Sequence, residues 1–270
     1  MKRILLPTDF SENANNAVRH AVQMYGDEEV TFVFFHTFFT PHTSPDASKE
    51  VVDSEREESM QRFDQLINTL RSDYPSFVLS FEKIFKYGYF ENTVREVIDS
   101  LDVDLIVMGT QGASGLEEVL IGSSTANVIR DVDCPVLAIP EKSSYKTPEK
   151  IVFPLEPNSQ SLEASIQPIL DIAGKHDAEV LVLYIVQDDT SYDDETIEQS
   201  LATVNHSYHT IEEENITEAI EEFVKDEQAD FLAMITHDQK LFERLFQQSK
   251  TRKMVLHTNV PLLAMRNAEQ

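Results

Sequence analysis

The sequence is short of three things, and each shortage removes a class of function. Basic residues are few: Lys and Arg total 22 against 48 Asp and Glu, a formal net charge of −26. Such a field repels nucleic-acid phosphates and anionic lipid, so neither nucleic acid nor membrane is expected as a partner. A small anionic ligand is still allowed, because it answers to local donors rather than to net charge. Cysteine is almost absent. The single Cys134 can form no internal disulfide and no zinc cluster, which suits a reducing cytoplasm. Long apolar runs are missing too, so no membrane span is expected. The opening Met1-Lys2-Arg3-Ile4-Leu5-Leu6-Pro7-Thr8-Asp9 is too short in its apolar part for a secretory signal and predicts a buried strand over 4–6 instead.

What the sequence does contain is a repeat. The run Asp104-Leu-Ile-Val-Met-Gly-Thr-Gln-Gly112 aligns with Asp230-Phe-Leu-Ala-Met-Ile-Thr-His-Asp238 without a gap, and the alignment continues for more than twenty residues. Asp104/Asp230, Met108/Met234, Thr110/Thr236, Ser123/Ser249, Thr125/Thr251, Pro135/Pro261 and Leu137/Leu263 are identical pairs. The starts of the copies match as well, Ile4 to Asp9 against Ile151 to Glu156. Gene duplication explains both matches in the same order. The polar, proline-containing stretch 141–149 reads as a linker and predicts domains at 1–141 and 149–270.

Within the first copy, strand and helix patterns alternate. Strands are predicted over 4–7, 30–36, 77–85, 105–108 and 135–139. Ala14, Ala17, Val18, Ala21, Val22 and Tyr25 mark the first helix, with Ser11 as its N-cap. A polar loop is predicted from 40 to about 54, then a helix through Met60, Phe63, Leu66, Ile67 and Leu70. Val94, Val97, Ile98 and Leu101 mark a third helix, and a fourth starts at Ser123. The second copy repeats the plan more loosely. Its first helix carries Leu162, Ile166, Ile169, Leu170 and Ala173, with Pro168 inside as a predicted kink. Its second helix is much reduced. The alternation predicts an α/β class: two tandem doubly wound, mostly parallel sheets with helices on both faces. Ligands in such sheets bind beyond the carboxyl ends of the strands, at the switch point flanked here by the first and fourth. The two fifth strands, 135–139 and 261–265, are expected to pair and make the chain an internal pseudo-dimer, which would protect two edges at once. Further homodimerisation stays open.

The segment that carries chemistry is Gly109-Thr-Gln-Gly112, nine further residues, then Gly122-Ser123-Ser124-Thr125. Gly109 ends a buried strand, where a Cβ would crowd a ligand lying over the sheet edge. Gly112 permits a left-handed turn. Gly122 lets backbone approach a phosphate, and Ser123, Ser124 and Thr125 offer hydroxyls and unpaired N–H groups at a helix N-terminus, where the dipole attracts anions. Glycines alone would as readily serve turns. Their position after a buried strand and before a helix favours phosphate binding.

The spacing Gly-x2-Gly-x9-Gly-Ser resembles the ATP-binding signature of the universal stress protein family. The opening Lys2 to Asp9, the segment Asp104 to Gly109 and the ending Cys134-Pro-Val-Leu-Ala-Ile139 are similar to that family too, as two tandem copies over nearly the whole chain. The resemblance implies a five-stranded parallel sheet of order 3-2-1-4-5 in each copy. It implies an ATP-binding stress-response regulator, with Mg accompanying the nucleotide. Pro7, Thr8 and Asp9 would hold adenosine, with Asp9 accepting from ribose or adenine. Thr37 would face the adenine, Met108 and Gly109 would lie beside the nucleoside, and Gly112, Gly122, Ser123, Ser124 and Thr125 would cradle the phosphates. For Asp9 the plainer role is a helix cap, and the two roles can coexist.

The second copy lacks this equipment. Ile235, Asp238 and Gln248 replace Gly109, Gly112 and Gly122, and Glu156 replaces Asp9, so one nucleotide per chain is expected. Phosphoryl transfer needs cations beside the moving group. No Lys or Arg lies between Gly109 and Thr125, and Glu117 and Glu118 add negative charge there. At most slow hydrolysis or autophosphorylation is expected, and a structural interaction protein with a vestigial loop is the third reading. His36 is read as a hydrogen-bonded structural residue, His42 as solvated and Cys134 as a buried small hydrophobe. His206 and His209 lie in a strand-like segment and should point to opposite faces, giving no metal site. The basic set Lys240, Arg244, Lys250, Arg252 and Lys253 is read as a solvated face, with an anion or partner site as the sharper alternative.

Overall fold

The computed structural model describes residues 1–39, 45–110, 122–155, 166–186, 194–213, 215–236, 248–249, 252–253 and 259–266; of these, 45–48, 194, 248–249 and 252–253 are described by backbone alone. The first half runs β1 (Lys2–Pro7), α1 (Glu12–Tyr25), β2 (Val30–Phe38), α2 (Pro45–Asp73), β3 (Ser80–Tyr87), α3 (Phe90–Leu101), β4 (Leu105–Gly109), α4 (Ser123–Asp131) and β5 (Val136–Ile139). The second runs β6 (Lys150–Leu155), α5 (Gln167–His176), β7 (Glu179–Val186), α6 (Asp194–Leu201), β8 (His206–Glu212), α7 (Ile216–Asp226), β9 (Phe231–Ile235), the two-residue strands β10 (Gln248–Ser249) and β11 (Arg252–Lys253), and β12 (Leu262–Met265). Among the described residues no helix is long and apolar enough to cross a membrane.

One ten-stranded sheet has the order β3-β2-β1-β4-β5-β12-β9-β6-β7-β8. Each half therefore follows the order 3-2-1-4-5 with parallel neighbours. The halves join where β5 and β12 pair antiparallel: Leu137 lies opposite Leu263, Ala138 opposite Leu262 and Val136 opposite Ala264. Leu137 thus faces its own repeat equivalent, so a pseudo-two-fold axis passes between them, as in an isologous dimer contact. The expected pairing of the fifth strands is what joins the sheet.

Burial follows the same symmetry. Helices α1, α2, α5 and α6 cover one face over a core that runs through both halves, including Phe32, Phe34, Phe63, Leu137, Leu263 and Ile169. On the other face α3 and α4 cover one cluster and α7 another, and each takes one residue from the opposite half: Ala264 packs with the α3/α4 cluster, Ala138 with the α7 cluster. Asp104 and Asp230 owe their identity to one job. Asp104 Oδ2 accepts from the Arg3 amide at 2.7 Å, and Asp230 Oδ2 accepts from the Glu149 and Lys150 amides at 3.0 and 3.2 Å, fastening the start of each first strand to the fourth.

Several sequence expectations need correction. Helix α2 begins at Pro45, so most of the span expected as a loop is helix. Pro45 suits a first turn, where no backbone N–H is required. The buried stripe continues N-terminally through half-buried Val52 and Glu55 and buried Ser59, too polar a set to signal a core-facing helix. Strand β3 begins at Ser80 rather than 77, because Phe77 turns back to stack on Tyr74 and to cover Gly26, where a Cβ would lie 2.4 Å from its ring. Pro168 sits in the first turn of α5 and produces no kink; Leu162 lies outside the described residues.

The linker is fastened rather than loose. The Asn16 amide donates to the Ser143 carbonyl at 2.8 Å, and the Tyr145 ring meets His20 edge-on at 5.9 Å. A second tie joins the halves: Lys175 of α5 donates to the Met24 carbonyl and to the carboxylates of Asp27 and Glu28 at the end of α1. Partial burial works against the Lys175 charge, but the hydrogen bonds it donates to Asp27 and Glu28 outweigh it and raise the pKa; Lys175 in turn lowers that of Asp27. The Asp27 contribution is present above the ordinary carboxylate range and lost as pH falls through its lowered value. The Lys175 contribution is present below the ordinary lysine range and lost as pH rises through its raised one. Lys175→Met should cost about 1–2 kcal/mol near neutrality, mostly through the Met24 bond because the Asp27 pair is largely screened. Urea unfolding at pH 7 and below pH 4 checks this: most of the difference between variant and parent should persist in acid, with only the small Asp27 part lost.

Candidate functional site

A cavity of about 290 Å³ opens at the carboxyl ends of β1, β2 and β4, beside the start of α4. It lies at the switch point, where the connections leave the sheet in opposite directions. Pro7, Thr8, Asp9, Thr37, Met108, Gly109, Gly122, Ser123, Ser124 and Thr125 all line it. Gly112 lies outside the described residues. Phe90, at the start of α3, and His36 also line the cavity; sequence reasoning did not assign Phe90, whose one signal was its place just beyond the end of a strand.

The turn after β1 is fixed by side chains acting on backbone. Thr8 Oγ1 accepts from the Phe10 amide and Asp9 Oδ1 from the Ser11 amide, each at 2.9 Å. Ser11 then caps α1, accepting from the Ala14 amide at 3.2 Å, so the cap is Ser11 and Asp9 shapes the turn before it. Phe10 has φ 62°, a left-handed conformation that L residues seldom adopt. Its ring is pinned between His36 (4.8 Å) and Phe63 (5.2 Å), packing that holds the strained turn. His36 Nδ1 lies 2.7 Å from the Thr8 carbonyl, the hydrogen-bonded role expected for it, although β2 runs on past it to Phe38.

Gly109 has a different reason for being glycine from the one the sequence suggested. A Cβ there would lie 2.7 Å from the amide group of buried Asn13 on α1, so α1 itself fills the space. Gly109→Ala should cost about 1–3 kcal/mol and push α1 away from the cavity, by the usual penalty for overpacking; guanidinium unfolding measures it. Thr125 is buried and its hydroxyl donates to the Gly109 carbonyl at 2.9 Å, so it ties α4 to β4. Ser123 and Ser124 are exposed. Gly122 is the N-cap of α4, in extended conformation (φ −61°, ψ 158°), and among the described residues no side chain caps the helix. The first-turn N–H groups are thus the site's donors, backed by the helix dipole.

No lysine or arginine is among the described residues lining the cavity, and Asp9 is its one carboxylate. The walls are apolar at Pro7, Ala14, Met108 and Phe90. Polar lining comes from Thr8, Asp9, His36 and Thr37 after β1 and in β2, and from Ser123 to Thr125 at the start of α4. This division fits a nucleoside with its phosphates on α4. The volume is near the lower end of the roughly 300–1,000 Å³ usual for small-molecule sites. Among the described residues no cluster of His, Cys, Asp and Glu could hold a metal.

In the second half Ile235 takes the place of Gly109: it pairs with Met265 as Gly109 pairs with Ile139. Thr236 and Thr110 donate their amides to the equivalent carbonyls of Met265 and Ile139. Asp238, Glu156, Lys240, Arg244 and Lys250 lie outside the described residues, as do Glu117, Glu118 and His42. His206 and His209 point to opposite faces of β8, as expected: His206 meets Glu198 at 3.0 Å, while His209 meets Ser207 at 3.0 Å and the Phe223 ring. Burial and then the charge of Asp104 push the Cys134 thiol up to about 12, so it is a protonated core group rather than a nucleophile.

Comparison with known proteins agrees with this arrangement. The family model described as "Universal stress protein family" matches residues 1–140 and 193–266. A universal stress protein of Methanocaldococcus jannaschii is 28% identical over 159 residues, covering 53% of this chain and 97% of the relative. A second from the same organism is 28% identical over 146 residues, covering 51% of this chain and 81% of the relative. The solved structure of a universal stress protein from Archaeoglobus fulgidus covers 98% of both chains with a TM-score of 0.75 at 17% identity, a likeness of fold. With most of its length matched by the family model, the chain belongs to the universal stress protein family.

Proposed function

We propose that this chain is a nucleotide-responsive regulatory protein that binds one ATP, with its Mg, in the first of two repeats, residues 1–141 and 149–270. The observation that carries the reading is the N-terminus of α4, opening with Gly122-Ser-Ser-Thr and without a side-chain cap among the described residues, beside a cavity with apolar walls. Asp9 would accept from the ribose or adenine, Met108, Gly109 and Thr37 would flank the nucleoside, and Gly112 and Gly122 to Thr125 would hold the phosphates. Mg would be held through those phosphates. In the second repeat, Ile235 puts a branched side chain where Gly109 stands in the first. The buried thiol of Cys134 suits a reducing cytoplasm.

Holding rather than hydrolysing is supported by the absence of cations among the described lining residues, since phosphoryl transfer depends on them. Bound nucleotide would change the surface that this end of the sheet offers to partners. Filter binding with γ-labelled ATP, followed by product analysis, tests the reading. The label should be retained and recovered as ATP. Recovery as ADP and phosphate, or as labelled protein, would favour a weak enzyme; no retention by the folded protein would leave a structural role.

A further inference from the structure

A second and larger cavity, about 660 Å³, lies where the linker crosses onto the second half. Half-buried Val224 of α7 and Val260 ahead of β12 give it an apolar floor, and His20 of α1 contributes to its wall. Its rim carries Lys142 and Lys146 from the linker and Lys225 from α7. Lys49 apart, these are the described lysines that make no ion pair. Lys2, Lys83, Lys86, Lys150 and Lys175 each sit within 4.0 Å of a carboxylate, as expected where 48 acids meet 22 bases. Lys142, Lys146 and Lys225 make no ion pair among the described residues.

The two carboxylates at the cavity do not cancel them. Asp230 is committed to the amides of Glu149 and Lys150, and Glu221 is itself partnered. His20 adds no positive charge: burial lowers its pKa, against the Asn16 carbonyl that raises it. What remains, among the described residues, is an apolar floor beside three ammonium groups that make no ion pair. An unpaired cation at the rim attracts an anion at short range even on an acidic protein, since charges beyond a Debye length of about 8 Å are screened at physiological salt.

We infer that this cavity is a second ligand site, taking an organic anion with an apolar body, the body on Val224 and Val260 and the carboxylate or phosphate among Lys142, Lys146 and Lys225. A ligand there would touch α1, the linker and α7 together, and so would clamp the two halves. The site is separate from the nucleotide cavity and shares none of its lining residues.

The test titrates the full chain with the fluorescent sulfonate 8-anilinonaphthalene-1-sulfonate and follows displacement. Saturable binding near one per chain is expected, weakened at least 10-fold in the triple variant Lys142→Glu, Lys146→Glu, Lys225→Glu and kept when the three are changed to Arg. Near-UV circular dichroism verifies that each variant is folded. Displacement by decanoate but not by decyl phosphate would identify a carboxylate site, and the reverse a phosphate site. Displacement by ATP, equal binding by the Glu variant, or no saturable binding would overturn the inference.

Discussion

Gly122→Asp is expected to abolish ATP binding while leaving the protein at least as stable as before. The backbone at 122 is extended, with φ −61° and ψ 158°, so an L side chain enters without strain. Aspartate is among the best N-cap residues, and its carboxylate would accept from the first-turn N–H groups of α4, stabilising the helix by a few tenths of a kcal/mol relative to glycine. Those are the donors assigned to phosphate, and the new charge would stand where phosphate charge must lie. Losing two charge-assisted bonds, each worth about 1.5–3 kcal/mol, corresponds to at least about a 100-fold rise in Kd. Thermal melting and ATP titration on the same sample separate the two effects. A structural helix start would gain stability and lose nothing; a phosphate site gains stability and loses its ligand.

The second large effect concerns the join. Leu137 and Leu263 are each 1% exposed and lie directly opposite each other in β5 and β12, within the core that runs through both halves. Directly opposite residues project to the same face, so the two side chains share surroundings. Leu137→Ala and Leu263→Ala should each cost about 2–5 kcal/mol through lost burial and a residual cavity. The double variant should cost less than the sum by at least about 0.5 kcal/mol, because the second truncation removes contacts already lost to the first. Guanidinium unfolding measures all three. Strict additivity would mean that the strands are not in the register described, and a second unfolding transition in the single variants would show that the halves fold independently.

The topology could be read in advance because buried parallel strands appear as apolar runs and their connecting helices show clear periodicity. The repeat aligned Gly109 with Ile235, and the sheet places these two at equivalent positions beside Ile139 and Met265. Features that depend on contacts between distant residues were hidden. The stripe of α2 passes through Glu55 and Ser59, whose burial no hydropathy pattern signals. Phe77 looked like the start of a strand because its apolar side chain covers Gly26 instead of entering the sheet. Asn13 gave no sign that it would fill the space left by Gly109. At the cavity beside α4, adjacent segments at strand ends supply most of the wall, which is why the sequence named so much of it. The larger cavity draws on α1, the linker, α7 and the turn before β12, and no single stretch carries its pattern.

The central claim, one nucleotide held in the first repeat, is tested most directly by calorimetric titration of nucleotide-stripped protein with Mg-ATP. The account predicts saturable binding with a stoichiometry near one per chain, lost in Gly122→Asp. Two per chain would show that the second repeat also holds nucleotide, and binding unaffected by Gly122→Asp would place the nucleotide somewhere other than the N-terminus of α4.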